Sequence, residues 1–373
     1  MRSALTIAAL AVAAPSAEQA FAQAPASPAA VLAQARQEFA SVKPPGAAVA
    51  VIDRGRTSTV GLGSERIGGA PVTARTVFQI ASLTKPFTAM VVLRLVEQRR
   101  LTLEDRAARW LPWLPARYGQ VTVRQLLDHT SGVPRDLRRE NVDEFSIDEF
   151  RRRFLAAEPS FAPGAKWEYS NTGYILAAMI AERAGRKPFG QLLEQLIFRP
   201  AGMRRTRYRA PLVRAPGRAS GYDWQDGRWV PAPPVYSGFG NSGIESTAAD
   251  LAAFATALQR RQLLRPSSYA AMLSKAKLSS GSAVAFTFRD AAASYGLGWF
   301  IGEHCGTRTA VHGGTIAGFS SNLSWAVDRN VTLVALSNGK STADRIGTAD
   351  KIVGPALKRA LGCPAATSTP APE

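Results

Sequence analysis

The sequence predicts an α/β fold: an antiparallel sheet flanked by N- and C-terminal helices, with a large, mostly helical lobe inserted. Three observations predict it. Strand-like runs cluster near the two ends of the chain. They are joined by short turns, which suit antiparallel pairing, whereas parallel strands need long crossovers. The stretch between them carries apolar residues at three- and four-residue spacing, the mark of amphipathic helices.

The elements follow in order. Residues 1–22 read as a signal peptide: Arg2, an apolar run from Ala4 to Ala14, then Ala20-Phe21-Ala22 before Gln23. That run is too short to span a bilayer, and no later stretch is long and apolar enough, so no transmembrane segment is expected after cleavage. Residues 23–30, "QAPASPAA", read as a flexible linker. The folded domain is expected over 31–362. Its α/β part covers about 31–80 and 285–362, its helical part about 81–284, and 363–373 form a tail. A helix over Val31–Phe39 precedes two strand-like runs that meet at Arg54-Gly55, a hairpin signal. "TVRQLLDH", "SIDEFRRRFLAA", "TGYILAAMIAERAG", "PFGQLLEQLIF" and "TAADLAAFATALQR" supply the central helices. "YGLGWFIGE", "TRTAVH", "FSSNLSWAVD" and "VTLVALSN" are the late strands, followed by a helix over about Thr348–Leu361. A cleft between the lobes is the expected place for a site, lined by the segments from Arg135 to Phe150 and from Ala215 to Gly240.

The totals narrow the function. With 373 residues, 46% of them hydrophobic and 20% charged, the chain is globular. Its formal net charge is +18. Export makes nucleic acid an unexpected partner; a diffuse positive field suits anionic cell-envelope polymers or anionic substrates, or solubility alone. Cys305 and Cys363 can pair in an oxidising compartment, with two buried thiols as the alternative. The three histidines are widely spaced and no cysteine cluster exists, so no metal site is expected. The expected partner is a small-molecule or peptide substrate, and the expected location is the periplasm.

Three stretches carry chemistry. In "FQIASLTKPFTAM", Pro86 is tolerated only in the first turn of a helix, which places the helix start close to Ser82. Ser82 and Lys85 then share a face, and the hydroxyl sits where free N–H groups favour a developing anion. Serine is a poor nucleophile unless a base adjoins it, and a desolvated, neutral lysine can be that base. Ser-x-x-Lys occurs three times, at Ser82/Lys85, Ser274/Lys277 and Ser337/Lys340, and only the first opens an apolar helix. On this motif alone, a surface lysine is the preferred reading of Lys85. In "FAPGAKWEYSNTGY", Tyr169 suits a proton relay and Asn171 a substrate amide; the structural alternative makes Asn171 the N-cap of the next helix. In "VHGGTIAGFSS", Gly313 and Gly314 after His312 allow close approach of a ligand or another backbone. His129 reads as structural.

Together, Ser82-x-x-Lys85, Tyr169-Ser170-Asn171 and His312-Gly313-Gly314 resemble the three motifs of the serine β-lactamase and penicillin-recognising family. The likeness runs in order over roughly residues 31–362 and extends to class C β-lactamases and related DD-peptidases and esterases. It implies a β-lactamase/transpeptidase-like fold and an acyl-enzyme mechanism without a cofactor. By position, Ser82 would be the nucleophile, and Lys85 and Tyr169 would share acid–base work. The backbone N–H groups of Ser82 and Thr315 would form the oxyanion hole, and Asn171 would hold the substrate amide. His312 stands where class C β-lactamases usually carry lysine. Being charged only part of the time near neutral pH, it is expected to act by hydrogen bonding, which favours esters over anionic β-lactams. The alternatives are a genuine class C-type β-lactamase or D-Ala-D-Ala carboxypeptidase, and a non-catalytic peptidoglycan- or β-lactam-binding sensor. Such a sensor should have lost Ser82, Lys85 or Tyr169, yet all three are present.

Overall fold

Strand β1 (Gly46–Asp53) is buried on both faces, which sets the layering. Ala47, Val49 and Val51 pack with helix α1 (Pro28–Val42) and the last helix, Thr348–Leu361. Ala48, Ala50 and Ile52 belong instead to the large core shared with the central helices. A strand covered on both faces reads as the unbroken apolar run "AAVAVI" rather than as an alternation. The computed structural model describes residues 25–137, 146–209, 215–233, 238–288, 291–341 and 347–363. The expected signal peptide and nearly all of the tail lie outside the described residues.

The main sheet contains β1, β2 (Arg56–Gly63), β3 (Phe286–Phe288), β4 (Ala291–Tyr295), β5 (Phe300–His304), β6 (Thr307–Ile316), β7 (Phe319–Ala326) and β8 (Val331–Ser337). Their order is β2-β1-β8-β7-β6-β5-β4-β3, antiparallel throughout. At the β1–β2 turn, Arg54 and Gly55 have φ of 48° and 79°, the two left-handed residues whose twist suits a hairpin. The β5–β6 turn repeats this at Cys305 and Gly306. Cys305 is disulfide-bonded to Cys363, just beyond the last helix.

Several sequence expectations need correction. Helix α1 starts at Pro28, capped by the Ser27 hydroxyl, so the linker loses its last three residues to the fold. "YGLGWFIGE" is two strands rather than one, divided by a turn at Gly296–Trp299. Gly298 makes that turn at φ 85°, pressed against the backbone of Lys85 and Pro86, where only glycine fits. "TRTAVH" is the first part of a strand that continues to Ile316. The helical lobe also carries strands, in a small sheet of Phe78–Gln79, Ile244–Ser246 and Arg207–Tyr208. Among the described residues no helix is long and apolar enough to cross a membrane.

Helix α2 (Thr84–Glu97) runs through the centre of the core. Every residue from Thr84 to Leu93 is buried, as expected of a helix that is apolar all round. Lys85 is therefore held in the interior, at 0% exposure, and the surface-lysine reading fails.

Candidate active site

Ser82 lies on a 3-10 turn, Ala81–Leu83, that leads into α2. Ala81 has φ 48°, a left-handed conformation uncommon for a residue with a Cβ. Ser82 stays partly exposed while Lys85 is enclosed behind it. Lys85 Nζ donates to Asn171 Oδ1 at 2.9 Å and to the Asn241 carbonyl at 3.0 Å, and it lies 3.1 Å from Ser82 Oγ. It also stands 4.7 Å from the centre of the Tyr169 ring. The Asn241 carbonyl is steadied from the preceding residue, where Gly240 O accepts from Thr88 Oγ at 2.6 Å.

The second motif opens helix α3 (Asn171–Gly185), and here the capping alternative is corrected. Ser170 is the N-cap, its Oγ accepting from Gly173 N at 3.0 Å. Asn171 is thereby spared for the site. Its Oδ1 meets Lys85, and its Nδ2 donates to Asp136 Oδ2 at 2.7 Å. His129, buried and at φ 66°, accepts from Ser170 N–H through Nδ1 at 3.1 Å. Its ring centre lies 4.5 Å from that of Tyr169. Burial holds the His129 pKa well below the ordinary imidazole value. Burial pushes neighbouring Asp128 up to about 6, against two hydrogen bonds from Thr130.

The third motif is on β6. Its pairing with β5 ends at Val311, opposite Phe300, while pairing with β7 continues to Ile316. Residues 312–316 thus have an edge beyond the end of β5, and Ser82 lies against it. Gly314 is the contact: a Cβ there would stand 2.7 Å from Ser82 N and would also strike the Ile80 carbonyl. Thr315, next along, is exposed. His312 is not. It is 1% exposed, with Nδ1 at 2.7 Å from the Gly313 carbonyl and Nε2 at 3.1 Å from the Tyr295 hydroxyl.

Ser82, Lys85, Tyr169 and Asn171 are thus brought together, with Gly314 against the Ser82 amide. Gly313 and Thr315 flank that contact. His312 reaches the site through the protein, since both its ring nitrogens lie against protein atoms. Ser274 caps its own helix through the Ala270 carbonyl, and Ser337 is fully buried in β8. Segment 215–233 lines a cavity of about 850 Å³ with Gln79 and Phe319, and Ser82 is not in its lining. Of segment 135–150, Arg135 and Asp136 reach Asn171, while 138–145 lie outside the described residues. Sequence reasoning missed Asn241, Asp136 and Tyr295. The Gly-Asn-Ser-Gly run at 240–243 is a signal of close backbone approach. An acceptor that is a main-chain carbonyl has no side-chain signature.

Comparison with known proteins gives a consistent answer. The chain matches the Beta-lactamase family profile over residues 29–354. It is 32% identical to Penicillin-binding protein 4* of Bacillus subtilis over 292 residues, 72% of this chain and 62% of that protein. It is 36% identical to Esterase EstB of Burkholderia gladioli over 160 residues, 38% of this chain and 41% of that one. The chain therefore spans about three fifths and two fifths of these relatives. Among solved structures it is similar to a penicillin-binding protein from Bacillus halodurans, at 25% identity and TM-score 0.73, covering 87% and 98% of the two chains. It is also similar to a D-stereospecific amidohydrolase from Streptomyces sp., at 25% identity and TM-score 0.70, covering 86% and 97%.

Proposed function

As the chain belongs to the beta-lactamase family, we propose that it is an exported serine hydrolase that acylates Ser82 with an ester, amide or D-peptide substrate. The observation that carries this reading is the hydrogen-bond set of Lys85. Two of its partners, Asn171 Oδ1 and the Asn241 carbonyl, can only accept. A neutral amine keeps its two N–H groups on them and turns its lone pair to the Ser82 hydroxyl at 3.1 Å. Lys85 then takes the Ser82 proton as Oγ attacks the substrate carbonyl. The oxyanion faces the N–H groups of Ser82 and Thr315. Tyr169, against Lys85, passes the proton to the leaving group, and water later frees the acyl group. The relatives named esterase and D-stereospecific amidohydrolase support the choice of bond.

Position 312 bears on the substrate class. His312 is buried and its ring nitrogens lie against Gly313 and Tyr295, so it does not take the place of a lysine offered to a substrate carboxylate. Neutral esters and amides fit this arrangement better than anionic β-lactams. The signal-peptide pattern and the Cys305–Cys363 bond support export to the periplasm. The +18 charge supports retention near anionic envelope polymers.

The test is covalent labelling with a fluorophosphonate, followed by peptide mapping and turnover of p-nitrophenyl esters, D-Ala-D-Ala peptides and a chromogenic cephalosporin. Label is expected on Ser82, and Ser82→Ala should lose it while keeping its fold. Label that persists in Ser82→Ala, or maps to Ser274 or Ser337, would sink the assignment. Efficient cephalosporin turnover beside poor ester turnover would overturn the substrate reading.

A further inference from the structure

From the contacts around His312 we infer that Tyr295 is a positioning residue for the oxyanion hole, acting through His312 on the Gly313–Gly314 peptide. The inference rests on the serine-hydrolase reading above. It begins with what a carbonyl can do. Gly313 O lies 2.7 Å from His312 Nδ1, and a carbonyl only accepts, so Nδ1 carries the hydrogen. In the neutral ring Nε2 is then an acceptor. The group 3.1 Å from it is the Tyr295 hydroxyl, which is fully buried. Burial holds that phenol well above its ordinary pKa, so it keeps its proton. Tyr174, the neighbouring phenol, sends its own proton to the Leu127 carbonyl at 2.6 Å. Tyr295 thereby anchors the imidazole from β4, two strands away from β6.

The other end of the imidazole acts on the catalytic edge. Gly313 O belongs to the rigid peptide plane that also contains the Gly314 N–H. Fixing that oxygen fixes the plane. Gly314 is the residue pressed against Ser82 N, and Thr315, the second oxyanion donor, follows it. Beyond Val311 this part of β6 has no pairing with β5 to hold it. Two glycines in a row give it backbone freedom that a donor set at 2.7–3.1 Å from an oxyanion does not tolerate. The Tyr295–His312–Gly313 chain supplies the restraint that the missing strand pairs do not. Tyr295 also packs its ring 4.6 Å from that of His129, which holds the Ser170 N–H of the second motif. One side chain thus references two motifs to each other.

Two measurements test this. With only three histidines in the chain, long-range 1H–15N correlation spectra of the wild type can be assigned by substitution. His312 is expected to carry a proton on Nδ1, and a ring with its proton on Nε2 alone overturns the inference. This arm needs no turnover, so it fails independently of the hydrolase reading, whose failure would appear as absent Ser82 labelling. The second arm is Tyr295→Phe, which removes one hydroxyl and keeps the ring. Losing one net hydrogen bond felt mainly in the transition state should lower kcat about fivefold to tenfold, with KM changed less than about twofold. The His312 ring signals should shift in the same variant. A folded Tyr295→Phe protein with wild-type kcat overturns the inference. If the variant does not fold, the wild-type tautomer still decides.

Discussion

Gly314→Ala should disable the site sterically. Gly314 is outside the left-handed region, so alanine can adopt its backbone conformation and any effect comes from the added methyl. That methyl would stand 2.7 Å from Ser82 N and 2.8 Å from Ser321 Oγ, and it would overlap the Ile80 carbonyl. Ser321 can rotate, but Ile80 and Ser82 are backbone on the turn that bears the proposed nucleophile. Reaching ordinary contact with both backbone atoms requires the strand and the turn to part by roughly 1 Å. Displacements near 1 Å cost on the order of 100-fold in rate when they misplace reacting groups. Loss of one oxyanion donor costs a similar factor, about 10²–10³. We therefore expect kcat on a p-nitrophenyl ester to fall about 100-fold, with a stability loss of about 1–3 kcal/mol from overpacking. Steady-state kinetics and thermal melts on the same preparation measure both. A well-folded Gly314→Ala enzyme with kcat within about threefold of wild type would refute the close-approach argument, and with it the assignment of the Ser82 and Thr315 amides.

Three further outcomes are expected. Lys85→Arg should lose about 10³-fold or more in turnover, because a guanidinium cannot become the neutral base; ester hydrolysis near the wild-type rate would exclude Lys85 as the base. Asp128, with its folded pKa raised to about 6 from 3.8, contributes stability that is full below the unfolded pKa and lost as pH rises through the folded one. Asp128→Asn still accepts from Thr130, so its melting temperature relative to wild type should climb between pH 4 and pH 7, by about 3 kcal/mol equivalent. A difference that stays flat would mean that Asp128 is charged throughout. His129, with its folded pKa depressed, works in the opposite sense: its contribution is present above its unfolded pKa and lost on acidification, so the wild-type curve alone cannot isolate Asp128. Thiol titration of the unfolded, unreduced protein should find no reactive thiols; two would disprove the Cys305–Cys363 bond. Reduction should destabilise the protein by about 4 kcal/mol in a chain-entropy treatment, given the 58-residue separation.

What the sequence determined by itself was local or periodic. Ser82 and Lys85 are three apart at a helix start, so the helical turn brings them together without help from the rest of the chain. The apolar run after Pro86 separates this Ser-x-x-Lys from those at Ser274 and Ser337, while only the structure showed Lys85 buried. The hairpin at Arg54-Gly55 and the final helix are legible for the same reason, because turn chemistry and apolar spacing are properties of neighbouring residues. Only the tertiary structure decided that Asn241 O, 156 residues from Lys85, is one of its acceptors. It also decided that Ser170 rather than Asn171 caps α3, and that His312 turns inward to Tyr295 instead of toward the cleft. The first and last depend on which backbone atom or strand register arrives from a distant part of the chain, and the cap on the Lys85 side chain that claims Asn171 Oδ1 from 86 residues away. Main-chain carbonyls are identical at every residue, and a strand's register is set by packing against its neighbours. Neither leaves a residue type for a sequence to display.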